Sequence, residues 1–323
     1  MTRAASHGHR LGPDDKPVLF AAGFVLLILL VGTGYTLSTQ GSMPLLQPQY
    51  ILQQLQVGAF LGIVAAGMML VILLGHIDLS VPWTLTAAAM MATAVGGAWA
   101  IPVGIGVGLL VGIVNGLGVA YLRVPSMIFT LGMNAVMRGL MVAHTGGFAP
   151  QTAATDLMQY LAVARIGGVV PVALLVWLAV SAAVVVILTR TVLGRAIYAI
   201  GNRERAAYLS GIDTSRVILI AFALSGAASG VAGVLLAGYS TKAYQGMGDA
   251  YLLPAIAAVV VGGTNILGGR GRYLGTLVGV ILIVLLNSVL SIMQMPEAGR
   301  QIIYGGVIVM MLLVYGRGDR VTG

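Results

Sequence analysis

Few polar residues interrupt the apolar runs of this chain, and they are where membrane chemistry would sit: Asp78, Arg138, Asn115, Asn134, Asn265 and Asn287. An ionisable group inside a bilayer is costly, so each one is a functional candidate by default. Asp78 lies in LGHIDLSVPW, where Asp78 or Ser80 can cap the helix that continues through Pro82. His76 and Asp78 are two residues apart and do not share a helix face, which argues against a metal site. Asn134 lies one turn before Arg138; their common face either lines a pathway or makes interhelical hydrogen bonds. Arg138 can also snorkel outward. The sequence has no G-x-x-x-x-G-K-[ST], H-E-x-x-H or G-x-S-x-G motif. Gly262-Gly263 and Gly268-Gly269 follow apolar runs, not strands, so a dinucleotide reading fails on context. Cysteine is absent, which excludes disulfides, thiol catalysis and thiolate metal sites. No nucleophile, base and metal come together, so enzymatic activity is not expected. Mid-membrane carboxylates are also nearly missing, so uphill transport would need energy from a partner.

A second concentration of chemistry is the long polar interruption Gly194–Arg216, between the apolar runs Val169–Leu188 and Val217–Ala237. With Arg190 just before it, it carries Arg195, Arg203, Arg205 and Arg216, more charge than a simple turn requires. Asn202 can cap a short helix and Gly211 can end it in a left-handed conformation. Between them, Arg203, Glu204, Arg205, Ala206, Ala207, Tyr208 and Leu209 are mostly good helix formers. Such a helix either fits a protein partner or anchors the loop at the membrane surface.

These residues must be held by a membrane scaffold. Hydrophobic residues make up 59% and charged residues 8%, against about 25% charged in soluble domains. Mean hydropathy is +0.99. At about 20 apolar residues per crossing, the sequence gives about ten spans. They are 17–38, 51–74, 82–99, 101–122, 126–143, 168–189, 217–237, 253–268, 274–294 and 301–316. The first is too long for a signal-peptide core and lacks a small-x-small cleavage site, so it reads as a retained helix. An N-terminus inside the cell places 13 of the 17 Lys+Arg on the cytoplasmic side, the positive-inside pattern. That pattern explains the net charge of +8 without a nucleic-acid partner. Residues 1–16 and 317–323 then form cytoplasmic tails around a membrane domain at 17–316, with a cytoplasmic loop at 190–216. Exterior loops at 144–168 and 238–252 and the turn 293–300 present Asp156, Lys242, Asp249 and Glu297 as candidate docking residues. Glycines at 104, 108, 112 and 116, with small residues at 221, 225, 229, 233 and 237, allow close helix approach.

Four blocks carry a family resemblance: GHIDLSV at 75–81, VPSMIFTLGMNAVMRGL at 124–140, GRAIYAIGNRERAAYLSGID at 194–213, and the pair SGAASGVAGVLLA at 225–237 with AVVVGGTNILGGRGRYLGTLVG at 258–279. Over residues 50–316 the chain resembles the permease subunits of bacterial ABC importers of the ribose-type sugar and branched-chain amino-acid group, the sugar branch more closely. His76 and Pro82 stand where that family usually has glycine. The family motif falls on Gly75, Asp78, Leu79 and Ser80.

The resemblance implies an all-α polytopic bundle of the type II importer kind, in the bacterial inner membrane with both termini cytoplasmic. It implies a second permease subunit (identical or a paralogue), two cytoplasmic ATP-binding subunits and a periplasmic solute-binding protein. ATP and magnesium would sit on the partner ATPase, and no cofactor on this chain. The 194–213 segment matches the family's coupling region, which seats in a groove on the ATPase. Arg195, Asn202 through Leu209 and Gly211 would make that contact, and a bulky side chain at Ala206 or Ala207 would clash with the groove. A small monosaccharide, ribose- or xylose-like, is the implied solute. Asn115, Thr130, Asn134, Ser225, Asn265 and Asn287 offer the amide and hydroxyl partners that an electroneutral polyol needs. A branched-chain amino acid is the runner-up solute. A stand-alone carrier or channel is the alternative from another class.

Overall fold

The computed structural model describes residues 15–148 and 152–318, so most of both expected tails lies outside the described residues. The chain is almost entirely helical. Helices α1 (Asp15–Gln40), α2 (Pro48–Leu73), α3 (Val81–Val95), α4 (Ala100–Ala120) and α5 (Ser126–Thr145) form the first half. Then come α6 (Asp156–Val163), a short antiparallel pair β1 (Arg165–Ile166) and β2 (Val170–Pro171), and α7 (Val172–Arg190). The second half contains α8 (Val192–Asn202), α9 (Glu204–Leu209), α10 (Thr214–Tyr239), α11 (Leu252–Val261), α12 (Tyr273–Ile292) and α13 (Glu297–Gly318).

Lipid offers no hydrogen-bond partners, so spanning segments must satisfy their own backbone, which helices do. Among the described residues, seven helices are long and apolar enough to cross: α1, α2, α4, α5, α7, α10 and α12; α3 and α11 are apolar but shorter. The chain is therefore an all-α polytopic membrane protein. Two sequence expectations need correction. The run 253–268 is helical only to Val261: Gly263 is left-handed (φ +92°), and the amides of Gly263 and Thr264 turn back to Val260 and Val259. This is a glycine-terminated Schellman stop, and hydrophobicity alone did not mark it. The segment 144–168, expected to be an exterior loop, is not plain loop either. It holds α6, capped by Thr155, which accepts from the Met158 amide. Met158 and Ala162 bury one face of α6.

The bundle is organised around α10, which packs on α4, α2, α3 and α6. Its contact with α4 is backbone on backbone. A side chain at Gly108 would strike the Gly226 carbonyl, and one at Gly226 would strike the Gly108 carbonyl. Gly112 and Gly116 meet Phe222 and Leu219 in the same way. The α4 stripe read from the sequence is therefore a packing face. On α10 the opposing stripe is Gly226 and Gly230. The row through Ser225 and Gly233 turns instead toward α2 and α3, where Ser225 meets Gly67 and Gly233 meets Leu85. By contrast, α1 lies against α12 with most of its surface open to lipid.

Candidate functional site

The first candidate site is the break between α2 and α3. Gly75 is left-handed (φ +80°), and the amides of Gly75 and His76 return to Ile72 and Val71, which closes α2. Residues 76–80 then run without helical bonds, so their amides need other partners. Helix α5 supplies them from one face. Ser126 Oγ accepts from the Ile77 amide (3.4 Å), Thr130 Oγ1 from Leu79 (2.9 Å) and Asn134 Oδ1 from Trp83 (3.2 Å). Residues 126, 130 and 134 are four apart, one turn each, so they stack along the break.

Asp78 is the hub of this break and is only 1% exposed. One carboxylate oxygen accepts from the Ser80 amide (3.0 Å), the Ser80 hydroxyl (2.6 Å) and Asn115 Nδ2 (3.4 Å); Ser225 Oγ reaches the other at 3.5 Å. Asn115 Nδ2 also donates to Ser80 Oγ (2.7 Å). All these partners are neutral. The carboxylate sits just before the start of α3, the positive end of that helix. The capping expectation is not met: neither Asp78 nor Ser80 bonds an amide within α3. Ser80 is the residue at the N-cap position, and it makes no side-chain cap bond. Asp78 acts two residues earlier, through an Asx turn.

Four of the six candidate pathway residues gather here: Asn115, Thr130 and Ser225 fully buried, Asn134 half-buried. Their polar groups satisfy a broken backbone and its carboxylate. Asn265 and Asn287 lie elsewhere. Asn265 closes its own turn by accepting from the Leu267 amide, and exposed Asn287 accepts from Arg300. His76 packs against Phe222, with ring centroids 6.1 Å apart, and Pro82 occupies the first turn of α3, where a missing amide costs least. The geometry thus accepts both residues that stand in for glycine. Arg138, exposed on α5, lies over the Trp83 ring at 5.8 Å.

On the opposite face, the two long loops expected outside form one surface. Ala153 pairs with Lys242 in a β-bridge, and Gln245 Nε2 donates to Thr145 Oγ1 (2.9 Å) and to the Phe148 carbonyl (3.2 Å). Asp156, Lys242 and Asp249 are exposed on it, and Glu297 is held by Arg300 (3.3 Å). The 240–251 segment also dips inward. The Gly248 amide donates to Thr86 Oγ1 (3.1 Å), and a side chain at Gly248 would strike the Pro82 carbonyl.

The second candidate site is the arginine-rich interruption, which folds as two helices instead of one. Thr191 caps α8 through the Gly194 amide (3.2 Å), and Asp213 caps α10 through the Arg216 amide (3.1 Å). Asn202 does not cap the short helix. It is the last residue of α8, and Arg203, in extended conformation, precedes α9 with no side-chain cap bond. The expected stop is present: Gly211 is left-handed (φ +84°), and the Gly211 and Ile212 amides return to Tyr208 and Ala207. Arg195, Arg203, Arg205, Ala206, Tyr208 and Leu209 face outward, with Tyr208 65% and Leu209 78% exposed. Glu204 turns inward to Arg123 (2.6 Å) and Thr214 (3.4 Å). Ala207 is buried in its own chain. A bulky side chain there would disturb this fold first, which corrects the expectation that positions 206 and 207 are equivalent. Sequence reading missed Arg123 as a partner of Glu204; its only visible signal was its place in the short turn between α4 and α5.

Comparison with known proteins adds the lineage. The chain is similar to the ribose import permease protein of Haemophilus influenzae, at 36% identity over 81% of this chain and 83% of the relative. It is similar to the ribose import permease protein of Bacillus subtilis at 36%, over 83% and 85%. The autoinducer 2 import system permease protein of Escherichia coli is 31% identical, over 79% and 75%. No solved structure matches. Residues 50–312, which contain both the α2–α3 break and the α8–α9 segment, match the family described as branched-chain amino acid transport system / permease component, and this chain belongs to that permease family.

Proposed function

We propose that this chain is the membrane permease of an ATP-driven, binding-protein-dependent importer of a small monosaccharide, a pentose such as ribose. The observation that carries the reading is α9: a short helix between the long apolar helices, closed by left-handed Gly211, with Tyr208 and Leu209 presented to solvent. Two adjacent large apolar side chains on a polar, arginine-rich segment offer a patch that a partner can cover. The partner we infer is a cytoplasmic ATP-hydrolysing subunit, which supplies the energy source that this chain's own residues do not provide. A second permease copy or paralogue would complete the pore, and the loop surface bearing Asp156, Lys242 and Asp249 would receive a solute-binding protein. The ribose import permeases among its relatives point to the sugar. The deciding experiment is uptake of labelled ribose, xylose and leucine in cells with and without this chain. Chain-dependent pentose uptake is expected; chain-dependent leucine uptake without sugar uptake would overturn the solute assignment.

Both termini and α9 are placed in the cytoplasm by the arginine partition. The cysteine-free chain makes this easy to read. A single cysteine at exposed Arg205 should resist an impermeant thiol reagent in intact cells, and one at exposed Lys242 should react. The reverse pattern would invert the topology.

A further inference from the structure

Three chain segments meet as bare backbone between α9 and the Asp78 break. They are the end of α2 (73–75), the end of α8 (201–202) and the loop 267–269. The Gly269 amide donates to the Leu73 carbonyl (2.9 Å). A side chain at Gly201 would strike both that carbonyl and the Gly269 amide. One at Gly268, itself left-handed (φ +92°), would lie 2.7 Å from the Gly75 amide and 3.1 Å from the Gly201 carbonyl. One at Gly75 would lie 3.0 Å from the Leu267 carbonyl. Contacts this close leave no side chain to reorient, so displacement of one strand displaces the other two. Nearby, Tyr198 Oη donates to the Gly271 carbonyl (2.8 Å), which ties α8 to the same loop again.

The junction lies between two working parts. Two steps along the chain from Asn202 is Glu204, where α9 begins; two steps beyond Leu73 is Gly75, where the break to Asp78 begins. A second strut runs beside it. Arg123 holds Glu204 at 2.6 Å while sitting at φ +56°, a conformation costly for a residue with a side chain. We propose that Gly201, Gly268 and Gly269 are positioning residues that make α9 and the α2–α3 break move as one body. A push on α9 then reaches the Asp78 hub directly, without first bending a long helix. This inference rests on the reading of α9 as the ATPase contact.

The test uses the complete transporter, with its ATPase subunits and binding protein, in proteoliposomes. Gly201→Ala adds one methyl against the Leu73 carbonyl. ATPase association and basal ATP hydrolysis are expected to persist, while stimulation by loaded binding protein is lost and solute moved per ATP falls about tenfold. A merely structural role would lower assembly, hydrolysis and transport together. That result, or normal stimulation in Gly201→Ala, would overturn the proposal. A second measurement does not depend on that variant. Spin labels on single cysteines at Ser210 and Arg270, both exposed and on opposite sides of the junction, should keep one separation in nucleotide-free and vanadate-trapped complexes. A state-dependent shift of several ångströms would show that α9 moves apart from the loop and would also overturn the proposal. Failure of the parent reading looks different: the unaltered chain would then retain no ATPase at all.

Discussion

Replacing Asp78 by alanine is expected to destabilise the folded chain by about 2–5 kcal/mol, because buried donors lose their acceptor. The Ser80 amide and hydroxyl lose their shortest bonds, at 3.0 and 2.6 Å, and Asn115 keeps only its bond to Ser80. At 1% exposure, Asp78 is shielded from bulk solvent that could otherwise replace those bonds. The first turn of α3 also loses the negative group at its positive end. Asp78→Asn retains an acceptor oxygen of the same reach and should cost roughly half as much or less. Thermal unfolding of the purified chain in detergent measures both. Equal loss in the two variants would show that the carboxyl hydrogen bonds are not what holds the break.

The second large effect is expected at α9. Ala206 is exposed and lies one turn before exposed Leu209 on the same face of α9, so Ala206→Trp should leave the fold intact and weaken ATPase association about 30-fold, an energy of roughly 2 kcal/mol. Ala207, one residue on, is 5% exposed. Ala207→Trp should instead overpack the chain's own interior, at a cost of about 1–3 kcal/mol, and lower the yield of folded protein. Pull-down of the ATPase subunit, normalised to permease recovered, separates the two. Full association in Ala206→Trp would make α9 a membrane anchor and remove the coupling reading.

Sequence alone determined the membrane character, seven of the ten expected spans and the small-residue packing of α4. These follow from one-dimensional quantities: length of apolar run and residue size at helical spacing. It also determined that the short helix within the polar segment after α7 is stopped at Gly211, because a left-handed stop is a local property of glycine. Tertiary structure decided the rest. Thr130 and Asn134 looked like pathway residues until the fold set α5 alongside the α2–α3 break, where Leu79 and Trp83 offer unpaired amides. Asn202 looked like a cap because its type favours caps, but α8 runs through it and the loop 267–269 packs against it. Ala206 and Ala207 are the same residue in sequence, and only the fold buries one of them. The role of Gly201 was equally hidden. Its partners are the Leu73 carbonyl, 128 positions away in the chain, and the Gly269 amide, 68 away, by subtraction of the residue numbers. Contacts over such separations depend on how the helices stack, and no local pattern of residues encodes that.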